Sequence, residues 1–344
     1  MAPSSRQSHP PLVAVVGPTA SGKSALGVEL AQRLGGEVVS ADSMQLYRGM
    51  DIGTAKVTKG ERQGVPHHLL DLFDVTEEAS VAEYQKRART IVAEIRDRGR
   101  TPLMVGGTGL YIRAALDVID FPPTDPVLRS QLGERLEEEG SAVLRAELRE
   151  ADPEAAAGIK DERRLIRALE VVTLTGRTFA SYMPRREYTP AMEPVIQLGL
   201  RLPREMLHRR IAARVEQMVC DGLLDEVRRL SASGLRGSPT AARAIGYQHF
   251  LEVLDGRLSQ AEAVEATVTA TRKFARRQET WFRADHRIRW IDVQEGSGLS
   301  ELAKEAEHHI ACAVEGKQRE AAGVEVKEEQ VPGTSGASQR RTRP

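Results

Sequence analysis

Cysteine is nearly absent from this 344-residue chain: only Cys220 and Cys312 occur, far apart and without Cys-x-x-Cys spacing. That excludes a disulfide framework and a cysteine-based zinc site, and it suits a reducing cytoplasm. Long apolar runs are missing too. No stretch approaches the roughly 18 residues that span a bilayer, so no membrane contact is expected. There is no net charge, because 49 Lys and Arg balance 49 Asp and Glu. A polyanionic partner must therefore be met by local basic patches rather than by the overall field. The first residues, 1–11, lack the apolar segment of a signal peptide and read as a disordered leader. No internal repeat is visible. The remaining composition, 40% apolar and 28% charged, is that of an ordinary soluble chain with room for about two domains.

The most informative stretch is Gly17-Pro18-Thr19-Ala20-Ser21-Gly22-Lys23-Ser24, after the apolar run Leu12-Val13-Ala14-Val15-Val16. It matches G-x-x-x-x-G-K-[ST] at every fixed position. A short buried strand runs into a turn whose amides form a nest for phosphate oxygens at the positive end of the next helix. Lys23 would reach the outer phosphates, and the Ser24 hydroxyl would hold Mg²⁺. The loop implies a ligand containing pyrophosphate without specifying ATP.

Strand and helix then alternate. Glu37 to Ser40 reads as a strand ending at Asp42, a capping box at Ser80 to Glu83 starts a helix through Asp97, and Pro102 to Val105 reads as a strand closing in Gly106-Gly107-Thr108-Gly109. The expected fold is α/β: a P-loop NTPase-like parallel sheet flanked by helices, over 12–120 and 194–312. Between them, 121–193 shows helical periodicity and reads as an all-helical insertion domain. Val195 to Leu200 restores a strand, Pro203 opens a helix carrying Arg204, Arg209, Arg210 and Arg214, and Ile288 to Ile291 is the expected last strand. The charged, small-residue end, 313–344, reads as a disordered tail.

Several residues admit two readings. Asp42 either orients or deprotonates a nucleophile beside the phosphates, or holds magnesium through water, or else caps the segment from Met44. Thr108 either adds a hydroxyl to the phosphate site or caps the helix from Leu110. A Gly-Gly-Thr strand end, where an ATPase would place a metal-holding Asp, argues against a standard ATPase. The dense basic stretch Arg272, Lys273, Arg276, Arg277, Arg283, Arg287 and Arg289 contains Trp281 and Phe282. It is either an RNA face, with phosphate contacts and stacking platforms, or an amphipathic helix with solvated arginines. Arg163, Arg164 and Arg167 pose the same choice. Tyr247 either stacks on a base or packs, and His67-His68 reads as structural.

Taken together, these blocks resemble the bacterial tRNA dimethylallyltransferases, the isopentenyl-diphosphate:tRNA transferase family, over about residues 12 to 290. The resemblance rests on the phosphate loop and on Asp42-Ser43-Met44-Gln45 continuing through Tyr47-Arg48-Gly49-Met50-Asp51-Ile52-Gly53-Thr54-Ala55-Lys56. It also rests on Gly106 to Tyr111, on Arg163 to Glu170, on Arg243 to Tyr247 and on Arg277 to Arg283. Arg276 departs from the family's frequent Lys but keeps the charge. The resemblance implies transfer of a dimethylallyl group from dimethylallyl diphosphate to N6 of adenosine 37 in tRNA, with the base flipped out of the anticodon loop. It implies Asp42 as base, with Lys23, Arg214 and Thr108 stabilising the leaving diphosphate beside Mg²⁺ on Ser24. RNA contacts would come from Asp42, Ser43, Met44, Gln45, Thr108, Arg129, Arg163, Arg164, Leu165, Ile166 and Arg167. Further contacts would come from Arg243, Ala244, Ile245, Gly246, Tyr247 and Gln248, and from Arg276, Arg277, Gln278, Glu279, Thr280, Trp281, Phe282 and Arg283. The insertion would clamp the anticodon loop, and the expected state is a monomer in the cytoplasm. The competing reading is a small-molecule P-loop kinase with ATP on the loop. It leaves the Gly-Gly-Thr strand end, the insertion and the basic-aromatic block unexplained. A non-catalytic RNA-binding protein would not need the intact Lys23, Ser24 and Asp42.

Overall fold

The structure, a computed structural model, describes residues 9–182 and 185–321. Most of the expected leader and residues 322–344 of the expected tail lie outside them. The chain opens with β1 (Leu12–Val16), α1 (Lys23–Leu34), β2 (Glu37–Ser40), β3 (His67–His68), α2 (Val81–Asp97), β4 (Pro102–Gly106) and α3 (Gly109–Leu116). After an insertion come β5 (Val195–Arg201) and later β6 (Ile288–Asp292). The six strands form one sheet in the order β3-β2-β4-β1-β5-β6, and every pairing is parallel.

A parallel sheet covered on both faces needs strands that are apolar throughout, and Leu12 to Val16 are all buried. Val13 and Val15 point to one layer, where Leu26 and Leu30 of α1 pack. Leu12, Ala14 and Val16 point to the other, against Ala88, Val92 and Ile95 of α2 and Ile112 of α3. Ser80 caps α2 by accepting from the Glu83 amide at 3.1 Å. The edge strand β3 was not expected; His68 Nε2 contacts Glu37 at 2.7 Å and His67 Nδ1 contacts the Val65 carbonyl at 2.9 Å, a structural use of both rings.

Between β4 and β5 the insertion comprises α4 (Pro126–Glu139), α5 (Ser141–Ala151), α6 (Pro153–Gly158) and α7 (Glu162–Thr175). It closes on its own core of Leu132, Leu144, Leu148, Leu165 and Leu169. Its entering and leaving segments pair, with the Val118 amide on the Glu187 carbonyl and the Thr189 amide on the Leu116 carbonyl, both at 2.8 Å.

After β5 the chain adds α8 (Arg204–Cys220), α9 (Leu223–Ala232), α10 (Tyr247–Leu254) and α11 (Gln260–Arg283). α9, α10 and part of α11 pack on the 44–75 segment through Tyr47, Met50, Leu223, Val227, Tyr247 and Phe250. The last helix, α12 (Leu299–Ala321), corrects the tail boundary expected at residue 313. Its buried stripe is Leu302, Ala303, Ala306, Ile310 and Ala313. Alanines seat closely on α1 without adding the large side chains that mark a packed helix in sequence.

Candidate active site

Three strand ends are level with one another. Val16 is in register with Gly106, and Ser40 with Val105, so β1, β2 and β4 deliver their following loops to the same edge of the sheet. That carboxyl edge is where parallel α/β sheets bind ligands. On the first loop, Ala20 (φ 63°) and Gly22 (φ 96°) take left-handed backbone, which turns the chain into α1. Lys23 Nζ donates to the Pro18 carbonyl at 3.1 Å. Burial, with Arg214 alongside, pushes its ammonium down to about 8 against the pull of Asp42. A cation so poorly solvated is poised for an anion.

The opposite wall is built from the β2 and β4 ends. Asp42 Oδ1 accepts from the Met44 amide at 2.9 Å, so the capping reading holds. A carboxylate has further lone pairs, and Asp42 still lines the central cavity. The Thr108 side chain does not cap α3. Its Oγ1 accepts from the Ser43 amide at 3.3 Å, leaving the hydroxyl proton free to donate. The glycines around it are steric necessities. A Cβ at Gly106 would lie 2.2 Å from the Ala41 carbonyl oxygen, and one at Gly109 would lie 2.2 Å from the Trp281 ring.

Arg214 of α8 reaches across, 3.5 Å from Thr19 Oγ1; burial pushes its guanidinium down against the pull of Asp42 and Glu61. Three cavities meet here. One of about 630 Å³ includes Lys23, Ser24, Lys56, Arg210 and Arg214. A second, of about 320 Å³, holds Thr19, Asp42, Thr108, Arg214, Arg243 and Arg277 in its wall. The third, about 540 Å³, is an outer notch among Arg113, Arg186, Arg276, Arg277 and Trp281. Arg214 borders the first two and Arg277 the last two, so the three cavities are neighbours between the phosphate loop and the outer face of α11.

The residues expected on the RNA side separate into two groups. Arg163, Arg164, Arg243, Gln248, Arg276, Arg277, Thr280, Trp281 and Arg283 are exposed, Trp281 at 38%. Met44, Ile166, Ile245 and Glu279 are half-buried, and Glu279 pairs with Arg283 at 3.1 Å. Others are corrected to interior roles. Tyr247 (0% exposed), Phe282 and Leu165 are core side chains, and Ala244, Gly246 and Gln45 are buried. Leu165 and Phe282 lie on the apolar faces of α7 and α11, Gln45, Ala244 and Gly246 are buried in connecting segments, and Ala244 and Tyr247 border the central cavity from its wall. Arg129 and Arg167 both engage the buried Glu170, at 3.0 and 2.7 Å. Gln278 is buried and faces the phosphate loop instead of solvent.

The IPP transferase family model matches residues 45–285, more than half of the chain. This chain belongs to the IPP transferase family. It is 59% identical to the tRNA dimethylallyltransferase of Pseudarthrobacter chlorophenolicus over 83% of its own length and 95% of that relative. The crystal structure of a tRNA isopentenylpyrophosphate transferase from Bacillus halodurans superposes with a TM-score of 0.69 at 40% identity, covering 91% of this chain and 99% of that one. A eukaryotic dimethylallyltransferase, crystallised in a study of its action on tRNA, gives 0.73 at 26% identity over 94% and 82%.

In this IPP transferase, Glu226 and the loop-bridging position of Gln278, which was expected on the RNA side, escape sequence reasoning. Glu226 accepts from the amides of Asp51, Ile52 and Gly53 at 3.1, 2.8 and 3.1 Å and from the Tyr247 hydroxyl at 2.6 Å. It thereby shapes the loop that borders both inner cavities. Its one signal is an acid on the apolar face of α9, beside Leu223, Val227 and Leu230. Gln278 carries no such signal, because a buried glutamine looks like an exposed one in sequence. Among the described residues no three His, Cys, Asp or Glu side chains converge as a metal cluster, and no helix is long and apolar enough to cross a membrane. The Ser24 hydroxyl, on the wall of the phosphate-loop cavity, is a hard oxygen donor of the kind Mg²⁺ accepts.

Proposed function

We propose that this protein moves the dimethylallyl group of dimethylallyl diphosphate to N6 of adenosine 37 in tRNA, releasing diphosphate. The observation that carries the reading is the convergence of Lys23, Arg214, Asp42 and Thr108 around neighbouring cavities between the phosphate loop and the Arg277–Trp281 surface. Relatives named tRNA dimethylallyltransferase support the same reaction class.

The phosphate loop grips a leaving diphosphate. As the allylic C1–O bond breaks, negative charge grows on that group, and Lys23, Arg214, the loop amides and the Thr108 hydroxyl stabilise it. Mg²⁺ on Ser24, when bound, supplies further charge neutralisation. The adenine amine is a weak nucleophile because its lone pair is delocalised into the ring. Asp42 orients it and takes the N6 proton as the N6–C1 bond forms. The reacting base must leave the anticodon loop to reach Asp42, and Arg243, Arg277 and Trp281 offer phosphate and stacking contacts along the way.

The test is transfer of a labelled prenyl group from its diphosphate to tRNA, with ATP as control donor. Asp42→Ala should lower the single-turnover rate by about 10²–10⁴-fold and leave tRNA affinity within a few-fold. ATP turnover without transfer to RNA would favour a kinase.

A further inference from the structure

We infer that Gln278 is a positioning residue that ties the tRNA-facing helix to the diphosphate cradle. Its Oε1 accepts from the Thr19 amide at 2.8 Å, and its Nε2 donates to the Gly107 carbonyl at 2.8 Å. A single side chain thus bridges the phosphate loop to the Gly-Gly-Thr turn. The two ends of one peptide group are held at once: the Thr19 N–H points to Gln278, while the Pro18 carbonyl of the same peptide accepts from Lys23 Nζ. The orientation of that peptide sets where Lys23 waits and which amides remain free for an anion.

Space around the bridge is fully used. A Cβ at Gly107 would lie 2.4 Å from Gln278 Nε2, so the turn can approach only because residue 107 is glycine. The same helix, α11, presents exposed Arg276, Arg277 and Trp281 within one turn of Gln278, and Trp281 packs on Gly109. A load placed on that outer face reaches both loops through a rigid element and two hydrogen bonds. Contact with RNA is not available to a side chain buried this deeply, so its influence on the reaction runs through the loops.

The inference rests on the tRNA-facing reading of α11, and wild-type transfer activity, measured alongside, checks that reading separately. Gln278→Met keeps length and removes both hydrogen bonds. It should lower kcat on the order of 10²-fold by misplacing the loops, while KM for tRNA changes less than about threefold. Gln278→Glu keeps the acceptor for Thr19 but sets a carboxylate against the Gly107 carbonyl. Only its protonated form can donate there, so its activity relative to wild type should rise as pH is lowered from 8 towards 6. A Gln278→Met enzyme with wild-type kcat and donor KM would overturn the inference. So would a loss confined to tRNA affinity, or a Gln278→Glu ratio that is flat with pH.

Discussion

Lys23 is half-buried on the wall of the phosphate-loop cavity, where partial desolvation and the nearby Arg214 hold its ammonium near 8 in the free protein. Only the protonated form attracts a diphosphate, and the bound anion then raises the affinity of Lys23 for its proton. Binding is therefore insensitive to pH well below 8 and weakens above it. Calorimetric titration with dimethylallyl diphosphate in the absence of tRNA should show affinity level to about pH 7.5. It should then fall by up to tenfold per unit above 8, the limit for loss of one required proton. Lys23→Met should bind more weakly and lose the bend; a bend that persists would assign the titration elsewhere. Lys23, Ser24, Asp42 and Thr108 were legible in the sequence because their spacing from strand ends dictates where they emerge. Gln278 and Glu226 were not, since each acts on a loop more than 170 residues away.

Element by element, apolar runs and turn residues anticipated β1, β2, β4, β5 and β6, along with the helical character of the insertion. The two-residue β3 has no such pattern and exists only because β2 offers it an edge. The resemblance assigned Arg129 and Arg167 to the RNA, and the structure gives both a further partner that sequence did not reveal, Glu170 on the buried side of α7. Burial pushes the Glu170 carboxyl up, but Arg167, the Asp125 amide and Arg129 outweigh it and hold it below the usual range. Glu170→Gln leaves both guanidinium groups without a counter-charge. The expected loss is about 2 kcal/mol, short of the ~3–5 kcal/mol of a fully enclosed pair because Arg129 is half exposed. Hydrogen exchange should accelerate in α4 and α7 on the order of tenfold or more while β1 and β4 stay protected. Equal acceleration in β1 and β4 would mean that the insertion does not open on its own.

For the whole molecule, balanced charge and a basic interface have a joint consequence. With 49 positive and 49 negative side chains there is no long-range field to draw in tRNA. Affinity must come from a few local phosphate contacts, and each releases counterions from the RNA. Arg277 borders both the central cavity and the outer notch, with its guanidinium 5.6 Å over the Phe274 ring. Among the described residues it forms no buried ion pair that would need replacing, so its removal should not unsettle α11. Arg277→Ala should weaken tRNA binding and reduce the slope of log affinity against log salt by about 0.7–0.9, the value for one phosphate contact. Donor affinity in the absence of tRNA should change less than tRNA affinity, since Arg277 borders the central cavity but not the cleft that holds Lys23 and Ser24. An unaltered salt slope would return this arginine to the solvated face of an amphipathic helix and move the RNA path away from the notch.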